Sequence, residues 1–92
     1  MTPKQTPEQF LVKLGRTPDE IAKSLVRRGI RGERQSHAKC PIGVALLLRF
    51  GTSVLVRYRR ISFGDLADVK PPPAVARFLR AFDGGKFPEL EA

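Results

Sequence analysis

The sequence predicts an α+β domain of about four short helices and one β-hairpin, on three observations. Thr-Pro pairs at Thr6-Pro7 and Thr17-Pro18 stand where helices start, apolar residues recur at helical spacing in four separate stretches, and Val54 to Phe63 alternates at the period of paired strands. With 92 residues the chain makes a single domain. A domain of this size buries only roughly 60 to 65 per cent of its unfolded surface, so the core is small.

Thr6-Pro7-Glu8-Gln9 supplies a hydroxyl cap, a proline at the first helical position and a glutamine at the capping-box position. Phe10, Leu11 and Leu14 form the apolar face of this first helix, and Gly15 ends it. Thr17-Pro18-Asp19-Glu20 repeats the start with acids where the helix dipole favours them, and Arg27 and Arg28 sit at the opposite end. Ile21, Leu25 and the Ala22, Val26 pair fall at helical spacing, with Gly29-Ile30 as a glycine cap and its hydrophobic contact. Residues 31 to 39 lack an apolar period and read as a polar loop. From Cys40-Pro41 a third helix runs to a Gly51 stop, apolar on nearly every side, and is expected at the centre of the core.

Val54, Val56 and Tyr58 alternate with Leu55 and Arg57, and Ile61 and Phe63 resume after Arg59-Arg60, giving a hairpin with a basic tip. The turn has neither glycine nor asparagine to set its register. Asp65 and Asp68 are expected to stabilise the segment that follows. Lys70-Pro71-Pro72-Pro73 is a rigid connector into a last helix, Ala74 to Phe82, with Val75, Phe78, Leu79 and Phe82 inward and Arg77 and Arg80 outward. Gly84-Gly85 closes that helix, and the tail is expected to fold back through Phe87 and Leu90.

Charge is concentrated. Residues 21 to 60 carry ten basic side chains (Lys23, Arg27, Arg28, Arg31, Arg34, Lys39, Arg49, Arg57, Arg59, Arg60) against one acid, Glu33, while the rest of the chain is nearly balanced; the net charge is +8. Such a field attracts polyanions. Arginine outnumbers lysine eight to two in the cluster, and guanidinium suits bidentate contact with phosphate or with acidic protein surfaces. Helix, helix, helix, hairpin is also the order of a winged helix, with Arg57, Arg59 and Arg60 on the wing. Against that reading, Arg49 is the only charged residue of the third helix, which leaves no polar face to read base edges.

Catalytic signals are sparse. Cys40 at a helix start, with His37 three residues earlier, is the sharpest of them, since a helix dipole and nearby cations lower a thiol pKa; the competing reading is a small buried residue capping the helix. One histidine and one cysteine fall short of a structural zinc set. Asp19 and Glu20 belong to a helix cap, and the glycine spacing fits neither a phosphate loop nor a dinucleotide fingerprint. A lone cysteine cannot close an internal disulfide and points to a reducing, cytoplasmic setting. Val44 to Leu48 is too short to span a bilayer, and Met1 to Gln5 does not read as the start of a signal peptide.

Two stretches carry a resemblance: Cys40-Pro41-Ile42 opening an apolar helix, and Pro72-Pro73-Ala74-Val75-Ala76-Arg77-Phe78 followed by Phe82-Asp83-Gly84-Gly85-Lys86-Phe87-Pro88-Glu89-Leu90. In these the chain resembles a group of small uncharacterised proteins of actinobacterial genomes, mobile elements and phages. The resemblance implies such an origin and no particular activity.

The expectation is a small basic, non-enzymatic binding protein without metal or cofactor. Its partner is nucleic acid, DNA or RNA, held by phosphate contacts from Arg27, Arg28, Arg31, Arg34, Lys39, Arg57, Arg59 and Arg60. The alternative is a phage- or mobile-element-encoded interaction module, an inhibitor or adaptor that docks on an acidic surface of a host protein. A thiol enzyme built on Cys40 is a third class.

Overall fold

A proline opens every α-helix in the computed structural model, which describes residues 6–52, 54–63 and 68–92. The helices are α1 (Pro7–Leu14), α2 (Pro18–Arg27), α3 (Pro41–Phe50) and α4 (Pro73–Asp83); between α3 and α4 lie strands β1 (Val54–Val56) and β2 (Ile61–Phe63), and a 3-10 turn, Pro88–Leu90, follows α4. Proline fits the first helical position because its missing N–H has no intrahelical partner there and its fixed φ is already helical. The expected α+β architecture of four helices and a hairpin is therefore present.

The caps explain where each helix begins. In α1 the Gln9 amide N–H donates to Thr6 Oγ1 (3.2 Å) and Thr6 N–H donates to Gln9 Oε1 (3.0 Å), a complete capping box. In α2 Thr17 Oγ1 accepts from Glu20 N–H, but the Glu20 carboxylate reaches one residue further back to the N–H of Arg16, so the expected reciprocal box is displaced. Gly29, at φ 70°, turns the chain out of α2 in the left-handed conformation glycine tolerates, and Ile30 N–H donates to Leu25 C=O (3.0 Å) while its side chain is buried.

Packing then orders these elements. α2 packs most extensively on α4, α3 on β1, and α1 on α2. The connection from α2 to α3 spans residues 28–40, whereas about three or four residues join the helices of a helix-turn-helix. Leu11, Ile21, Leu25, Ile42, Leu46, Ile61, Phe63, Val75, Phe78 and Phe82 are the fully buried centre, and Phe87 stacks on Phe78 at 5.4 Å between centroids. The tail does fold back: Phe87 and Leu90 are buried, Gly32 N–H donates to Leu90 C=O (2.8 Å), and Ala92 N–H donates to Gly32 C=O. Gly32 has no alternative there, since a Cβ would overlap the backbone of Cys40 and Pro41.

β1 and β2 pair antiparallel with Val54 opposite Phe63, Leu55 opposite Ser62 and Val56 opposite Ile61, which leaves Arg57 to Arg60 as a four-residue tip. Val54, Val56, Ile61 and Phe63 point into the core. Tyr58 does not continue the alternation, because the strand has ended and the ring has turned toward α4. Val69 adds a bridge to Ile61, and Pro71 of the connector is buried.

Two expectations of burial are corrected. Leu48 is 71 % exposed and Leu47 45 %, so α3 is not enclosed; β1 and α1 pack on one side of it, and among the described residues no element of this small chain covers Leu47 and Leu48. Val26 is likewise exposed, whereas Ala22 one turn earlier is buried. Asp65 lies outside the described residues, as do Met1 to Gln5. No helix among the described residues is long and apolar enough to cross a membrane.

Candidate functional site

All eight arginine and lysine residues singled out in the sequence are exposed, but the fold distributes them over several surfaces and brings acids to some of them. Arg34 pairs with Glu91 of the tail (3.0 Å) and Arg60 with Asp68 (3.4 Å). Arg27 lines a shallow depression with Lys23, Val26 and Glu89. The run that holds one acid in sequence thus meets three further carboxylates in space. Arg28 lies over the Phe10 ring and Arg49 over Phe50, and the two flank a groove over Ile30, Ala45 and Leu48. Arg31 is exposed, and Lys39 belongs to the loop turn in which its N–H donates to Ser36 Oγ.

The hairpin tip gathers cations instead of dispersing them. Tyr58, Arg59, Lys70, Pro71, Pro73, Ala76 and Arg80 line a groove of about 390 Å³. Pro73, Ala76 and Arg80 share one face of α4 at helical spacing, the connector delivers Lys70 alongside, and the Arg80 guanidinium lies over the Tyr58 ring, 5.4 Å from its centroid. Among the described residues no carboxylate forms an ion pair with Arg57, Arg59, Lys70 or Arg80. Lys70 and Arg80 were not among the candidates from sequence. Arg80 was legible as an outward residue of an amphipathic helix, but nothing local says that the tip folds against that helix.

Tyr58 also borders a second hollow, a cavity of about 450 Å³ lined by Gln35, Ser36, His37, Cys40, Val56, Arg57, Leu79 and Asp83. Asp83 ties its walls together: Oδ2 accepts from the Tyr58 hydroxyl and Oδ1 accepts from Gln35 N–H (2.8 Å). The loop is further held by Val56 N–H donating to His37 C=O (2.7 Å). Gln35 has φ 56°, the one non-glycine residue in the left-handed region among those described. The Asp83 carboxylate, aided by slight burial, pushes the Tyr58 phenol above its ordinary pKa.

Cys40 and His37 do line the same cavity. Yet the thiol is 3 % exposed, serves as the cap of α3 by accepting from Gly43 N–H, and is pushed up to about 11 by burial, which outweighs the backbone N–H groups that lower it. At neutral pH it is a protonated thiol and a poor nucleophile. The described residues contain no group of three or more His, Cys, Asp or Glu side chains able to hold a metal ion.

Comparison with protein-family models, with characterised proteins and with solved structures gave no match to this chain.

Proposed function

We propose that this protein is a small non-enzymatic nucleic-acid-binding protein that grips the phosphate backbone with the hairpin tip and the adjoining face of α4. The observation that carries the reading is the convergence of Arg59, Lys70 and Arg80 on one groove beside an aromatic ring, with Arg57 in the wall of the adjoining cavity and no carboxylate partner for any of the four among the described residues. Guanidinium and ammonium groups left unpaired in a concave site match phosphate oxygens, and the tyrosine offers a face on which bases stack. Within the sequence-derived set, Arg57 and Arg59 keep this role. Arg34 and Arg60 are already paired, which reduces their contribution. Binding of labelled oligonucleotides measured across a salt series tests the proposal: affinity must fall steeply with salt, and Arg59→Ala with Arg80→Ala must flatten that dependence.

A second reading, an interaction module for an acidic host protein, draws on a different surface. The outward side of α3 exposes Leu47 and Leu48 beside Arg28 and Arg49, an apolar strip with a cationic rim. A phage or mobile-element origin is compatible with either reading.

A further inference from the structure

The groove and the cavity share Tyr58, and their linings differ in a way that matches the two halves of a nucleotide. The groove is cationic. The cavity has an apolar floor of Cys40, Val56 and Leu79, all buried, and a polar rim of Gln35, His37 and Tyr58, with one side chain of each charge, Arg57 and Asp83, in its wall. A flat heteroaromatic base has the same division, with apolar faces and hydrogen-bonding edges, and about 450 Å³ lies within the range of roughly 300 to 1,000 Å³ typical of small-ligand pockets. The side-chain amide of Gln35 makes no hydrogen bond among the described residues, while its backbone is held by Asp83 in the left-handed conformation. Strained backbone that its surroundings enforce is characteristic of ligand sites. His37 is exposed at the rim, and only its carbonyl is engaged, by β1.

Resting on the phosphate-binding reading above, we propose that the protein selects single-stranded nucleic acid, with the backbone in the Arg59–Lys70–Arg80 groove and one unpaired base in the cavity between Tyr58 and His37. Bases inside a duplex are paired and stacked and do not enter such a hollow without being extruded. Single strands present splayed bases that stack on aromatic rings and offer their edges to side chains.

The test compares end-labelled oligomers of roughly eight units, within the ~4–16 nucleotides typical of one single-strand site: oligo-dU, oligo-U, an abasic phosphodiester of equal charge, and a hairpin duplex. Oligo-dU or oligo-U should bind roughly 5- to 150-fold tighter than the abasic chain, the scale of one stacked base, and tighter than the duplex; these two differ only in the sugar, so whichever is favoured identifies it. His37→Ala should erase the preference without changing abasic binding, and His37→Phe should restore it. Equal binding of base-bearing and abasic chains, or a His37→Ala variant that keeps the preference with an unchanged melting curve, overturns the base site and leaves the phosphate reading standing. Failure of every oligomer to bind at low salt overturns both.

Discussion

The Tyr58 hydroxyl, at the hairpin tip, donates a hydrogen bond to the carboxylate of Asp83, at the last turn of α4, and the second oxygen of that carboxylate holds the backbone of Gln35. Three elements far apart in sequence meet at one acid. The chain has a single tyrosine and no tryptophan, so the tyrosine bands of the near-ultraviolet spectrum, at longer wavelength than those of its six phenylalanines, report on this junction alone.

Tyr58 is therefore expected to titrate above the ordinary tyrosine value of about 10, because ionising it puts a phenolate against a carboxylate and forfeits the bond. A raised folded-state value means that the bond's contribution to stability is fully present below the unfolded pKa and lost as pH rises through the folded one. Absorbance titration of the phenolate checks this. Asp83→Asn should bring the midpoint back toward the ordinary value, and an unchanged midpoint would mean that the carboxylate does not control the phenol.

Cys40 is expected to react slowly with thiol probes at neutral pH and rapidly only after unfolding, since burial holds it protonated. Cys40→Ser should cost no more than about 1 kcal/mol, the scale of a helix cap or small core change, measured by denaturant unfolding. Fast labelling of the native protein at pH 6 would reveal a thiolate and reopen the thiol-enzyme reading.

α3 offers a contrast between two nearby leucines. Leu46 is fully buried, so Leu46→Ala should destabilise by about 2 to 5 kcal/mol. Leu48→Asp should leave the thermal midpoint nearly unchanged, because its side chain already stands in water. A large loss for Leu48→Asp would show that something covers this face in solution.

What the sequence disclosed and what it hid divide along the range of the interactions. Thr6 with Gln9, Thr17 with Glu20, and Gly29 with Ile30 act within a few residues, and their residue types name their geometry. The inward faces of α1 and α4 were equally plain from apolar spacing. Leu47 and Leu48 misled because hydrophobicity at a position says nothing about whether a chain of this size has an element to spare for covering it. The site was least legible: a count along the chain could not show that Glu91 would neutralise Arg34, or that Lys70 and Arg80 would join Arg59. Charge clustering in sequence located a basic protein, and only the fold showed which cations meet carboxylates among the described residues.

That sorting makes the last prediction specific to particular arginines. For B-DNA the logarithm of affinity falls with the logarithm of salt concentration by about 0.9 per phosphate neutralised, and by about 0.7 for single strands. Arg59 and Arg80 border the groove without carboxylate partners among the described residues, so each should account for about one phosphate. The double variant Arg59→Ala, Arg80→Ala should flatten the slope by about 1.4 to 1.8 units and weaken unrelated sequences alike, because phosphate contacts position without reading bases. Arg34→Ala should leave the slope almost unchanged, its charge being spent on Glu91. Both measurements come from one series of titrations at increasing salt. Equal slopes for wild type and the double variant would remove the groove from the binding surface, and a larger effect from Arg34→Ala than from Arg59→Ala would place that surface along the tail instead.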